Sequence, residues 1–228
     1  MIGIIGAMDI EVEKIKGFLT DIHEEKISGV NFVSGKFFNK DVVVAKCGVG
    51  KVFAGLCAEA MILKYSPELI INVGVAGCLD ENLKIGDIVI ADSVCQHDMD
   101  TSPLGDPIGL LSDINVIKIS ADKKAYELFE ECAKELSLPY SVGTIASGDQ
   151  FVSSAEKKQF IIENFSAKSC EMEGGAIGHV CYVNNVPFAV LRAMSDGADD
   201  GAKMDFPTFA KMAAENSTQM IKAFLSKF

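Results

Sequence analysis

Short runs of apolar and β-branched residues, each bounded by Gly, Asn or Asp, recur at 2–5, 30–38, 42–45, 69–73, 88–94, 116–119, 142–146 and 188–193. Runs of this kind predict strands. Between several of them the apolar spacing changes to that of a helix. Over 122–136, Tyr126, Phe129, Ala133 and Leu136 fall on one helical face, with Asp122 at the N-cap position. Ser153 with Glu156 predicts a capping box, opening a helix that ends near Phe165. From 206 to 228, Phe206, Phe209, Ala210, Ala213, Ser217, Met220, Ile221, Phe224 and Leu225 form one stripe, which predicts a long C-terminal helix packed on the body. Strands alternating with helices predict an α/β sheet. The runs on either side of Asn39-Lys40 predict an antiparallel hairpin, so the sheet should be mixed. No linker, biased tract or repeat divides the sequence, so a single domain over 1–228 is expected.

Composition narrows the function. Apolar residues make up 49% of the 228 and charged residues 23%, enough for a sizeable core. The net charge is −11, with acids spread along the chain and no Lys/Arg cluster. A polyanion is bound by displacing its counterions with clustered cations, so no nucleic-acid partner is expected and a small neutral or zwitterionic substrate fits better. The cysteines at 47, 57, 78, 95, 132, 170 and 181 include no C-x-x-C pair and no closely paired His, which predicts reduced, mostly buried thiols of a cytosolic protein. The opening Met1-Ile2-Gly3-Ile4-Ile5-Gly6 lacks the basic flank and apolar stretch of a signal peptide. The longest apolar run, over 69–79, is broken by glycines and falls short of the ~20 residues of a membrane span. A soluble, cytoplasmic protein without a membrane partner is expected.

Two glycine turns invite familiar readings and do not meet them. Gly3-Ile4-Ile5-Gly6-Ala7-Met8 lacks the G-x-G-x-x-G spacing of a dinucleotide site, and Gly48-Val49-Gly50-Lys51 lacks the spacer and the Ser or Thr of a P-loop. No cofactor is implied. His97-Asp98-Met99-Asp100 offers metal-type ligands, but no second cluster completes a coordination sphere, and no metal is expected.

The acids are more informative. Glu11 lies in the first turn of a helix, where the dipole favours a carboxylate whatever else it does. It also follows a strand end, where open α/β sheets place ligands. In Glu171-Met172-Glu173-Gly174-Gly175, two acids flank a Met where a strand gives way to a helix, and two acids at a buried strand end are costly unless they are solvated, bonded or used. Arg192-Ala193-Met194-Ser195-Asp196-Gly197 reads either as helix capping or as another polar strand end. Carboxylates at 11, 173 and 196 on three strand ends are the layout of one site at a sheet edge.

In order along the chain, Gly3-Ile4-Ile5-Gly6-Ala7-Met8 with Glu11, Gly74-Val75-Ala76-Gly77, Gly86-Asp87-Ile88-Val89, His97-Asp98, Gly148-Asp149-Gln150-Phe151, Glu171-Met172-Glu173 and Arg192 with Ser195-Asp196 resemble the 5′-methylthioadenosine/S-adenosylhomocysteine nucleosidases of the nucleoside phosphorylase/hydrolase family. The resemblance runs essentially from end to end. It implies a three-layer α/β/α domain with a mixed, twisted central sheet, and hydrolysis of an N-glycosidic bond with release of adenine. It implies that Glu11 activates the attacking water, Asp196 donates a proton toward adenine N7 and Glu173 bonds the ribose hydroxyls. Phe151, Val152, Met172 and Ser195 would surround base and sugar, with Gly77 and Arg192 as further substrate contacts. Met8, Val49 and Phe206 would face the 5′-thio group, completed by residues 101–104 of a second subunit, which implies a homodimer. The family often carries a hydroxyl where this chain has Val75, and Gly where it has Cys78. Glu11 is expected to be ionised, and Asp196 to need apolar walls or a nearby anion to raise its proton affinity. Two alternatives remain beside the hydrolase: a phosphorylase of the same fold, which would need a basic anion pocket, and a catalytically silent nucleoside-binding module.

Overall fold

The computed structural model describes residues 1–199 and 201–228, the side chain of Met204 excepted. The chain opens with β1 (Ile2–Gly6), α1 (Asp9–Lys16), β2 (Thr20–Ile27), β3 (Val30–Phe37), β4 (Lys40–Lys46), α2 (Lys51–Tyr65), β5 (Leu69–Cys78) and β6 (Ile88–Gln96). A 3₁₀ turn at Ser102–Leu104 leads to β7 (Lys118–Ser120), α3 (Lys123–Glu135), β8 (Tyr140–Ser147), α4 (Ala155–Phe165), β9 (Ser169–Glu171), α5 (Gly174–Val183), β10 (Phe188–Asp196) and α6 (Ala202–Lys227).

The sheet is mixed. β1 runs parallel to β4 and β5, and β2–β3–β4 form antiparallel pairs. β10 pairs with both β5 and β6, so β5, β9, β8, β6 and β10 close into a ring, with β7 continuing along β6. Helices cover both faces. Val12, Ile15, Phe129, Met220 and Phe224 of α1, α3 and α6 build one core with the sheet, and Cys57, Met61, Ile177 and Cys181 of α2 and α5 build the other.

The structure corrects several expected boundaries. Ser154, not Ser153, caps α4 by accepting from Lys157 N at 3.3 Å. α6 begins four residues before Phe206, with Pro207 near its start, and β2 was not foreseen. All but two residues of that strand are exposed, so it carries no buried alternation to read. α3 follows its pattern closely: Asp122 caps it through Ala125 N at 2.8 Å.

The apolar stripe of α6 is bound to α3 by Phe224, fully buried and stacked on Phe129 at a centroid distance of 4.2 Å. Phe224→Ala should cost about 3–5 kcal/mol, measured by urea unfolding, because the rigid sheet beneath cannot collapse into the space left.

Candidate active site

The carboxyl ends of β1, β5 and β10 and the turn after β9 meet around a cavity of about 260 Å³. Its lining includes Met8, Glu11, Val49, Gly77, Phe151, Val152, Met172, Glu173, Ser195, Asp196 and Phe206. Eleven positions singled out from the sequence thus share one wall. Phe151 and Phe206 meet edge to face at 5.6 Å, bringing the loop after β8 to the start of α6.

Glu11 sits at the third position of α1, where its Oε2 accepts from Ala7 N at 2.7 Å and Met8 N at 2.9 Å. Oε1 accepts from Val75 N at 3.0 Å. The backbone therefore supplies a bond at position 75 without a hydroxyl. Gly74 makes this approach possible, since a Cβ there would lie 2.5 Å from Glu11 Oε1 and 3.3 Å from Arg192 Nη1. Burial raises the proton affinity of Glu11, and Arg192 and the three N–H donors only partly offset it. The carboxylate is cradled by donors yet eager for a proton, as a general base should be.

Asp196 is re-aimed by a bulge. β10 pairs residue for residue with β5 up to Met194, then skips Ser195, so that Asp196 lies opposite Gly77. Its Oδ1 accepts from Ala198 N at 2.9 Å, and Ser195 Oγ donates to Oδ2 at 2.8 Å. Burial pushes the carboxyl above its usual range; these bonds pull against it, while Asp205 and Asp199 add to the push.

Glu173 accepts from Gly50 N, at the start of α2, at 2.8 Å. Burial and the neighbouring Glu171 drive it up to about 7, against Arg192 and the Gly50 N–H. Glu171 differs sharply. Burial opposes its ionisation, but Arg192, Ser147 and the Gly174 N–H outweigh that and hold it below the usual carboxylate range.

Arg192 departs from the expectation that it touches the substrate. It is 1% exposed and absent from the cavity wall, with Nη2 bonded to Glu171 and to Asn72 Oδ1 at 2.5 Å and lying 3.9 Å from Glu173 Oε2. It is the counter-charge beneath the acids. Asn72, whose Nδ2 donates to Ile5 O at 2.9 Å, and Ser147 were not singled out from the sequence. A polar residue inside the apolar run 69–73 was the available signal for Asn72.

His97 is a buried ring over Gly148, and burial lowers its pKa to about 4. Among the described residues no group of three or more His, Cys, Asp or Glu is placed to hold a metal ion. Residues 101–104 lie on the surface, with Leu104 85% exposed.

The chain with this closed ring of strands and three acids at one end belongs to the phosphorylase superfamily, whose family model matches residues 1–226. Within that class it is 40% identical to the 5′-methylthioadenosine/S-adenosylhomocysteine nucleosidase of Staphylococcus aureus strain JH9, over 100% of both chains. It is also similar to a Helicobacter pylori MTAN structure, an Asp-to-Asn mutant with 5′-methylthioadenosine in the active site (TM-score 0.96, 36% identity, 100% of this chain and 98% of that one). The Helicobacter pylori futalosine hydrolase superposes with a TM-score of 0.95 at 37% identity, covering 100% of this chain and 97% of that one.

Because folded Glu173 holds its proton up to about pH 7, against 4.5 ordinarily, the stability that its protonated form contributes is complete below about pH 4.5 and is lost as pH rises toward 7. Glu173→Gln should flatten that decline, read from urea midpoints at about pH 5 and about pH 8.

Proposed function

We propose that this chain hydrolyses the N-glycosidic bond of 5′-methylthioadenosine and S-adenosylhomocysteine, releasing adenine and the thioribose product, with residues 1–228 acting as one nucleosidase domain. The observation that carries the reading is the convergence of Glu11, Glu173 and Asp196 on one largely apolar cavity. Cleavage of the bond to N9 builds positive charge on the ribose and negative charge on adenine. Anions near the sugar and an acid near N7 therefore favour the transition state over the ground state.

Glu11 takes a proton from the water that attacks C1′, as the C1′–N9 bond breaks and Asp196 delivers a proton toward N7. The two proton movements balance, and adenine leaves neutral. Glu173 bonds the ribose hydroxyls, Phe151, Val152, Met172 and Ser195 enclose base and sugar, and Gly77 leaves room beside Asp196. Met8, Val49 and Phe206 offer the 5′ substituent an apolar wall, which suits a thioether. Arg192 serves substrate binding from beneath, by setting the charge of the acids.

A phosphorylase would need a cation facing the attacking phosphate. Lys and Arg are missing from the described cavity lining, and Arg192 is committed to Glu171 and Asn72. A silent binding module is disfavoured by retention of all three acids, each with its proton affinity raised.

We place the protein in the cytoplasm as a homodimer in which Thr101, Ser102, Pro103 and Leu104 complete the partner's site. All seven cysteines are free thiols, and no helix among the described residues is long and apolar enough to cross a membrane. Exposed Val52, Phe53, Leu56 and Leu63 on α2 give a second subunit an apolar surface to cover. Sedimentation should report a dimer, and Leu104→Asp should raise KM for methylthioadenosine.

In phosphate-free buffer the protein should release adenine from methylthioadenosine, and Glu11→Gln and Asp196→Asn should each lower kcat by roughly 10²–10⁴-fold with the fold retained. Release that required added phosphate, or a fully active Asp196→Asn protein, would overturn the reading.

A further inference from the structure

Three motifs take no part in the chemistry above: Gly50-Lys51, His97-Asp98 and Gly148-Asp149. The structure joins them. Lys51 Nζ donates to Asp98 Oδ1 at 2.7 Å and to Gln96 Oε1 at 3.1 Å. Asp98 Oδ2 accepts from Asp149 N at 2.9 Å, and Asp149 Oδ1 accepts from Lys51 N at 2.7 Å. Each of the three residues is thus bonded to the other two, one at the start of α2 and the others in the loops after β6 and β8. Beside them the ring of His97 fills the space over Gly148, where a Cβ would lie 2.4 Å from His97 Cε1. Adjacent residues 97 and 98 therefore grip adjacent residues 148 and 149, one by packing and one by a hydrogen bond to the backbone.

The segments so held lead directly to the cavity. Val49 precedes Gly50, whose N–H is bonded to Glu173, and Phe151 and Val152 follow Asp149 by two and three residues. An exposed ion pair contributes little by itself. Here the side chains of Lys51 and Asp98 are only 19% and 18% exposed, and two carboxylates also accept from backbone N–H groups of the facing segments, so the ion pair is one link in a connected network.

We propose that Lys51, Asp98 and Asp149 are positioning residues that hold the loops of Val49–Gly50 and Phe151–Val152 in the nucleoside-binding arrangement before substrate arrives. The inference rests on the nucleosidase reading and deepens it. Loops ordered in advance lose less freedom on binding, so the cluster acts on affinity for the bound nucleoside more than on the bond-breaking step. Removing it should raise KM and leave kcat comparatively intact.

The test is adenine release from methylthioadenosine by Lys51→Ala, Asp98→Ala, their double variant and Lys51→Arg, together with amide hydrogen exchange over residues 48–52 and 147–152 of the free proteins. Each alanine variant should raise KM by about tenfold or more with kcat within about threefold. The double variant should be no worse than the weaker single, Lys51→Arg should recover most of the affinity, and exchange should accelerate in the two loops and not in the sheet. Unchanged KM with unchanged exchange would overturn the proposal. So would additive losses in which kcat falls with thermal stability and the loops exchange no faster than the rest. If the unmodified protein released no adenine, the reaction would fail while the exchange measurement alone upheld or overturned the loop positioning.

Discussion

The burial of Arg192 is the constraint on which the rest of the site turns. A guanidinium out of water is tolerable only among opposite charges and acceptors. This one has Glu171 and Asn72 in contact, Glu173 at 3.9 Å, and Glu11 across the space left by Gly74. One cation cannot ionise every acid near it. It holds Glu171 below the usual carboxylate range, while in Glu173 burial and the neighbouring Glu171 outweigh its pull and drive the acid up to about 7. Asn72 extends the arrangement into the scaffold, since it accepts from β10 and donates to β1 from its place on β5.

Backbone does much of the remaining work. Glu11 is fixed by three main-chain N–H groups, Glu173 by one from the start of α2, and Asp196 by the bulge that turns it toward Gly77. Such donors cannot rotate away as hydroxyls do. This accounts for an apolar Val75 beside a carboxylate that depends on position 75: its N–H makes the bond, and its side chain lines the cavity.

Much of this was legible in the sequence, and for identifiable reasons. Strands buried on both faces announce themselves as apolar runs, and the amphipathic faces of α3 and α6 by their period. The acids at 11, 173 and 196 stood out because charge at a strand end needs an explanation. What could not be read depended on pairings distant in sequence. The ring closure requires β10 to lie between β5 and β6, the bulge at Ser195 appears only in the register with β5, and the destination of Arg192 is set by Asn72, 120 residues away. Local pattern also misled where the surface rules, as in β2, and where neighbouring hydroxyls compete, as in Ser153 and Ser154.

The ring of strands has a consequence for solubility. A closed ring has no terminal strand, so the sheet's long free edge is pushed out to β2, beyond the hairpin. Unpaired edges invite other chains to add strands, and proteins discourage this with charge and irregularity. β2 carries Asp21, Glu24, Glu25 and Lys26, most of its residues face water, and its pairing with β3 slips between Thr20 and His23. The strand hardest to see in the sequence is therefore the one whose polarity keeps copies of this sheet from joining edge to edge.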